Sequence, residues 1–174
     1  MAADTAVASG SMRARTSPAP AHTNRRETSA SRPAAGTIDA ESLDGVDAIV
    51  NLSGAGIGDK RWTAEYKKLC FDSRVDGTSL LATTMAGMKK QPSVFLSGSA
   101  IGYYGSQGET ELTESSPAGS GFLADLTVAW EKAATPAIEA GIRTAFLRTG
   151  IVLSTHGGAL PKLLPLFKFG LGGK

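Results

Sequence analysis

Hydrophobic residues along the chain fall into short continuous runs separated by longer stretches with helical spacing. The continuous runs are Val46–Leu52, Ser93–Ser97 and Arg143–Leu147, and small or polar residues follow each of them. Apolar runs of this length, bounded by such residues, predict strands of a buried parallel sheet. No comparable run occurs before residue 36.

The stretches between and after these runs predict helices. Thr63 is a candidate N-cap for a helix over Ala64–Met88. The clearest amphipathic pattern covers Leu123–Glu139, which Pro136 is expected to kink or interrupt, and a last helix is predicted over Ala159–Phe167. Strand and helix therefore alternate. This order predicts an α/β fold, a doubly wound parallel sheet with right-handed crossovers and helices on both faces.

Residues 1–35 have a different composition, mainly Ala, Ser, Thr, Pro and Arg. Such a segment buries too little apolar surface to offset its ordering entropy, so we predict a disordered leader over 1–35 and a folded part over 36–174. An Arg- and Ser-rich, acid-poor leader is typical of an organelle transit peptide. The simpler alternatives are an unstructured leader or a misassigned start codon, with the protein in the cytoplasm.

Charge and composition narrow the function classes. The first 36 residues hold five Arg and two acidic residues, while the whole chain carries a net charge of +2, so the folded part has no general attraction for nucleic acid. One Cys excludes an internal disulfide, and two His with one Cys exclude a four-ligand structural zinc site. The apolar runs are far shorter than the roughly 20 residues of a membrane helix.

Polar and glycine-rich segments follow each predicted strand: Asn51–Gly58, Ser97–Gly105 and Arg148–Gly150. Ligands of open α/β sheets bind beyond the carboxyl ends of the strands, so we expect these segments to form one site for a small molecule. Three alternating glycines in the first segment lack the spacing of a dinucleotide fingerprint. They leave two interpretations open, a phosphate cradle or a flexible wall of a ligand cleft.

The second segment is the most informative. Its small residues let a ligand approach the backbone, while Ser99, Tyr103 and Tyr104 supply hydroxyl groups. The alternative is a glycine-rich turn with tyrosines packed at its rim. Either interpretation places these hydroxyls near the end of a strand.

Two further clusters have simple structural interpretations. Arg74 lies beside Asp72 and Asp76 in the predicted helix, the pattern of a solvated charged face. Trp130 and Glu131 are interpreted as a core residue followed by a surface residue.

Six segments share their order and spacing with a known protein family. They are GTIDAESLDGVDAIVNLSGAGIGDKRW (36–62), DSRVDGT (72–78), SVFLSGSAIGYYG (93–105), LTESSP (112–117), FLADLTVAWE (122–131) and LRTGIVLS (147–154). Together they resemble the extended short-chain dehydrogenase/reductase superfamily, and within it the atypical NAD-dependent epimerase/dehydratase-like branch. The resemblance implies a Rossmann-type domain that binds NAD(P), with the choice between NAD and NADP left open.

The resemblance also implies residue roles. Ser99 falls at or within one residue of the catalytic Ser/Thr, which hydrogen-bonds the substrate oxygen, and Tyr103 or Tyr104 is the substitute proton donor. The backbone of residues 51–54 would lie along the adenosine half of the cofactor or the bridge to nicotinamide. Residues 148–150 would border the nicotinamide and the substrate. The residues assigned to the cofactor are Asn51, Leu52, Ser53, Gly54, Arg74, Ser97, Arg148, Thr149 and Gly150.

Two departures from the superfamily are evident. The Tyr-x-x-x-Lys motif falls where this chain has Phe122 and Leu126, and neither side chain can transfer a proton. In the superfamily a first βαβ unit with a glycine-rich turn would precede Gly36, where this sequence shows no strand–glycine turn–helix pattern. The superfamily's substrate-binding region would follow residue 174. The sequence thus predicts a partial Rossmann-type sheet, truncated at both ends.

The expected function is an NAD(P)-dependent oxidoreductase or epimerase-like protein that acts on a small carbonyl, hydroxyl or sugar-nucleotide substrate and is impaired by truncation. The alternatives are a non-catalytic dinucleotide-binding or interaction protein, or an inactive gene fragment. Unpaired strand edges would expose backbone groups and apolar faces, which predicts poor solubility or association into a homo-oligomer.

Overall fold

The computed structural model describes residues 5–8, 25–27, 38 and 43–171, and it contains one sheet of five parallel strands. The order of the strands across the sheet is β2-β1-β3-β4-β5. Their bounds are β1 (Thr5–Ala8), β2 (Arg25–Glu27), β3 (Ala48–Asn51), β4 (Val94–Ala100) and β5 (Arg143–Thr149). The predicted α/β class with a parallel sheet is confirmed.

Helices occupy the connections between β3, β4 and β5 and the segment after them. They are α1 (Ala64–Ala86), a 3₁₀ helix (Ile101–Tyr104), α2 (Phe122–Lys132), α3 (Thr135–Glu139) and α4 (Leu160–Lys168). Thr63 caps α1 as predicted, because its hydroxyl oxygen accepts a hydrogen bond from the backbone N–H of Tyr66 at 3.2 Å. The helix predicted over Leu123–Glu139 is two helices, since Pro136 lies in the first turn of α3, where a missing N–H is tolerated.

Two strands are longer than the sequence predicts. β4 continues to Ala100 and β5 to Thr149, and Ser99 is paired with Arg148 across them. Ser99 and Arg148 are therefore strand residues and do not belong to the following loops. Backbone pairing with a neighbour extends both strands past their apolar runs.

The core of the described part lies between the sheet and two helices. Ile49 of β3 and Phe95 of β4 are partners in register, so their side chains share one face, and both are fully buried. Leu81 and Met85 of α1 and Ala137 of α3 pack in the same cluster. α1 and α3 therefore cover this face of the sheet.

The N-terminal segment differs from its prediction at two places. Thr5–Ala8 pairs in parallel with β3, and Arg25–Glu27 pairs in parallel with β1. The sequence predicts no strand before Gly36, because the segments TAVA and RRE are only four and three residues long and RRE has no apolar residue. The prediction of a truncated sheet leaves one edge of β3 unpaired, and β1 pairs with that edge. The other residues of the predicted leader lie outside the described part.

Three observations complete the description. No helix among the described residues combines the length and the apolar character needed to cross a membrane. No group of three His, Cys, Asp or Glu residues in these ranges is arranged to hold a metal ion. Cys70 is a buried free thiol on α1.

Substitutions at two leucines of α1 test where the core lies. Leu81→Ala is expected to lower the free energy of unfolding by about 3–5 kcal/mol, because it leaves a cavity among buried side chains. Leu69 is on the same helix but is 50% exposed, so Leu69→Ala is expected to cost less than about 1 kcal/mol. Urea unfolding followed by circular dichroism measures both values. Equal losses would contradict the placement of the core.

Candidate functional site

A cavity of about 710 Å³ lies at the carboxyl ends of β4 and β5, and its volume is typical of a small-molecule site. All three segments predicted to form one site contribute to it. The lining residues are Gly56, Ile57, Gly58, Asp59, Arg74, Ser99, Ala100, Ile101, Gly102, Leu123, Leu126, Thr127, Trp130, Thr149, Gly150, Ile151, Val152, Gly158 and Ala159. The structure thus brings the segments after the three predicted strands to one place.

The loop after β3 forms one wall of this cavity, and side chains from α1 hold it. The Tyr66 hydroxyl donates to the carbonyl of Gly56 at 2.7 Å, and the backbone N–H of Ala55 donates to the Ser73 hydroxyl at 3.0 Å. The Arg74 guanidinium donates to the carbonyl of Ala55 at 2.9 Å. Because the Ala55 N–H is already engaged, the geometry matches the cleft wall better than the phosphate cradle.

Glu131 of α2 joins Ser99 to Arg148. The Ser99 hydroxyl donates to Glu131 Oε1 at 2.5 Å. Arg148 donates from Nε to Oε1 at 2.8 Å and from Nη2 to Oε2 at 3.0 Å, a two-pronged pair in which the Arg148 side chain is 18% exposed and the Glu131 side chain 11% exposed. The hydrogen bonds to Glu131 raise the pKa of Arg148 above its ordinary value, against the opposing effect of burial.

Tyr103 and Tyr104, the two tyrosines predicted to lie in the site, both contact Arg148. Its Nη1 donates to the Tyr104 hydroxyl at 2.8 Å and to the carbonyl of Glu114 at 3.1 Å. The guanidinium carbon lies 3.5 Å from the centroid of the Tyr103 ring, the geometry of a cation–π contact. In the described part of the chain, neither tyrosine lines the cavity. Their role as proton donors stays a prediction.

A second polar network is buried at the end of β3. Thr78 of α1 accepts hydrogen bonds from Asn51 Nδ2 at 3.0 Å and from Trp130 Nε1 at 2.9 Å. The Asn51 side-chain oxygen accepts from the backbone N–H and the hydroxyl of Ser53, at 3.2 and 2.5 Å. Asn51 and Thr78 are buried, so this network fixes the carboxyl end of β3 to α1 and α2.

The residues predicted to bind the cofactor are distributed unequally. Arg74, Thr149 and Gly150 line the cavity, whereas Asn51 and Ser97 are buried in the sheet and Leu52 is 57% exposed. The remaining three, Ser53, Gly54 and Arg148, lie next to these residues in the chain without lining the cavity.

The solvated-face interpretation is wrong for Arg74. Its guanidinium donates to the carbonyl of Ala55 and also to that of Cys70 at 3.1 Å, and burial lowers its pKa. Asp72, in contrast, pairs with Lys68 on the exposed side of α1 at 2.5 Å. Adjacent charges in the sequence therefore lie on different sides of the helix, and Arg74 is the one that reaches the cavity.

Glu131 and Thr127 are among the site residues that the sequence analysis missed, and Glu131 was interpreted as a surface position. The signal for Glu131 was its position four residues after Thr127, which puts both polar side chains on one helical face. Thr127 lines the cavity, so the polar side chains of this helical face lie toward the site.

Apolar contacts occupy the two positions of the superfamily's Tyr-x-x-x-Lys motif. The Phe122 ring packs edge-on against Trp62 with centroids 5.5 Å apart, and Lys67 Nζ lies 5.2 Å from the Phe122 centroid. Leu126 is buried and lines the cavity. In the superfamily this helix carries the proton donor, whereas in this chain α2 has packed apolar side chains at the two motif positions.

Comparison with known proteins finds similar sequences over most of the chain, although no protein-family model matches it. An epimerase family protein of Mycobacterium bovis is 41% identical over 142 residues, which is 82% of this chain and 46% of that relative. The chain therefore spans less than half the length of this relative.

Two solved structures are similar in fold and sequence. The crystal structure of a nucleoside-diphosphate sugar epimerase from Corynebacterium glutamicum gives a TM-score of 0.75 at 33% identity, covering 100% of this chain and 39% of that one. The human epimerase family protein SDR39U1 (isoform 2), crystallised with NADPH, gives a TM-score of 0.67 at 33% identity, covering 74% of this chain and 44% of that one. Both alignments cover less than half of the longer protein.

Substitutions at Thr78 test the buried network. Thr78→Val removes the acceptor of two buried N–H donors, on Asn51 and Trp130, and is expected to lower the free energy of unfolding by about 2–4 kcal/mol. Thr78→Ser keeps the hydroxyl and loses one methyl group, for an expected cost of about 1 kcal/mol. Urea unfolding compares the two variants. A serine variant as unstable as the valine variant would show that packing, and not the hydroxyl, matters here.

Proposed function

Because the chain belongs to the NAD-dependent epimerase/dehydratase-like branch of the short-chain dehydrogenase/reductase superfamily, we propose that its cavity binds a nicotinamide dinucleotide together with a small-molecule substrate. The whole protein would then act as an NAD(P)-dependent oxidoreductase or epimerase. The observation that carries the proposal is the convergence of three strand-end segments on one cavity.

The sheet order places a reversal point beside β3, and the loop after β3 forms one wall of the cavity. β2 lies on one side of β1 and β3 lies on the other, so the direction of the chain across the sheet reverses between β1 and β3. Dinucleotides bind at such reversal points, beyond the carboxyl ends of the strands. Asn51 closes β3 at this edge, and the Asn51–Thr78 bond holds the backbone along which the adenosine half would lie.

The residues present are compatible with a dinucleotide. Gly150 leaves the backbone accessible from the cavity, as the close approach of a flat ring requires, because a Cβ there would meet only the Ile101 side chain at 3.7 Å. Arg74 places a permanent positive charge at the wall, which suits a phosphate group. When bound, the nicotinamide ring supplies hydride transfer. In this assignment Ser99 contacts the reacting oxygen of the substrate, and Thr149 borders the nicotinamide side.

A second candidate function is a dinucleotide-binding protein without catalysis. Phe122 and Leu126 favour it, because neither can replace the proton donor and the lysine that adjusts its pKa. Oxidation of NADPH by carbonyl substrates, or reduction of NADP+ by alcohol and sugar-nucleotide substrates, is expected if the protein is an enzyme, and either activity should be lost in Ser99→Ala. Dinucleotide binding with no turnover on the same panel would favour the second candidate.

Cofactor binding is tested with two glycines in the segment after β5. Gly150→Leu directs a side chain into the cavity and is expected to weaken NADPH binding about tenfold or more. Gly157 does not line the cavity and has open space around it, so Gly157→Leu should leave the affinity unchanged. Fluorescence titration with NADPH and NADH measures both variants and the parent chain. The proposal fails if the folded parent chain binds neither dinucleotide, or if Gly150→Leu has no effect.

A further inference from the structure

The hydroxyl proton of Ser99 is directed away from the cavity. A serine hydroxyl has one proton and two lone pairs, whereas an ionised carboxylate only accepts hydrogen bonds. Ser99 lines the cavity, yet its hydroxyl donates to Glu131 Oε1 at 2.5 Å. The lone pairs of Ser99 are therefore what remains for a ligand in the cavity.

Arg148 fixes this orientation. It engages both carboxylate oxygens of Glu131, and its Nη1 is bonded to the Tyr104 hydroxyl while its plane contacts the Tyr103 ring. The guanidinium cannot turn without breaking several contacts, so the carboxylate keeps its position. Rotating the Ser99 proton toward the cavity would leave a shielded carboxylate oxygen short of a hydrogen bond.

The other two hydroxyl groups that line the cavity are oriented in the same way. Thr127 donates to the carbonyl of Leu123 at 2.6 Å, and Thr149 donates to the carbonyl of Leu147 at 3.1 Å. Trp130 also lines the cavity, and its N–H is engaged by Thr78. These three hydroxyl groups therefore offer lone pairs to the cavity, whereas Arg74 is the charged donor group at its wall.

We propose that this acceptor set, centred on Ser99, selects ligands through their own hydroxyl groups and disfavours a carbonyl at the same position. The substrate class is then a hydroxyl-rich small molecule, bound in its alcohol form. Glu131 is a positioning residue, because it acts on the ligand only through Ser99. The inference rests on the proposed function for the identity of the cavity as the substrate site.

The test compares two probes of nearly equal size, cyclohexanol and cyclohexanone, by amide chemical-shift titration of the isotopically labelled full chain. The parent chain is expected to bind cyclohexanol about tenfold more tightly or better, with shifts at Ser99 and Thr149. Glu131→Ala frees the Ser99 proton, so the preference is expected to fall to about one or to invert toward the ketone. A purely structural role for Glu131 would weaken both probes alike and leave their ratio unchanged.

Two further variants keep the test decisive. Ser99→Ala removes the central acceptor and is expected to abolish the preference. If Glu131→Ala unfolds the chain, the double variant Glu131→Leu/Arg148→Leu leaves no unpaired charge, and it frees Ser99 in the same way. Equal binding or a ketone preference in the parent chain, no binding of cyclohexanol, or an unchanged ratio in the folded Glu131 variants would each overturn the inference.

Failure of this inference is distinguishable from failure of the proposed function. A clear alcohol preference without NADPH binding supports the acceptor set and refutes only the dinucleotide proposal. NADPH binding without an alcohol preference refutes the acceptor set alone.

Discussion

The ion pair between Arg148 and Glu131 is the interaction on which the site depends. One guanidinium connects β5 to α2 through Glu131, to the 3₁₀ helix through Tyr104, and to the following loop through the carbonyl of Glu114. The carboxylate extends the connection to Ser99 on β4. Both charges are largely shielded from water, so each would be costly without the other. The strand ends are held together by a charge pair, in addition to apolar packing.

A neutral network holds the other half of the site, and α2 joins the two. Trp130 bonds to Thr78 beneath the end of β3, while the next residue, Glu131, bonds to Arg148 at the end of β5. Successive helical residues point about 100° apart, so one turn of helix reaches both networks. The helix also lies close to β4, because a Cβ on Gly98 would meet the Trp130 ring at 2.9 Å. This helix therefore sets the spacing of all three strand ends.

The sequence was sufficient for elements whose pattern is local, and insufficient where distant contacts decide. The runs containing Ile49 and Phe95 form strands as predicted, because apolar residues follow one another along each run. The Thr63 cap depends on neighbouring residues only. Arg25–Glu27, by contrast, is a strand through backbone pairing, without an apolar pattern. Glu131 has the pattern of a solvent-facing residue, and nothing local indicates that its partner lies 17 residues further along the chain.

The same networks explain how a cavity without the Tyr-x-x-x-Lys pair can still be chemically selective. Its walls are mainly apolar, and its hydroxyl groups, on Ser99, Thr127 and Thr149, each donate to an acceptor behind the wall. A hydroxyl fixed in this way has lost its rotational freedom during folding, so a ligand does not have to order it on binding. Fixed lone pairs among apolar side chains discriminate more strongly than freely rotating hydroxyls, because a mismatched ligand group would be left buried without a partner. Selectivity then originates in the buried bonds behind the cavity as much as in its surface.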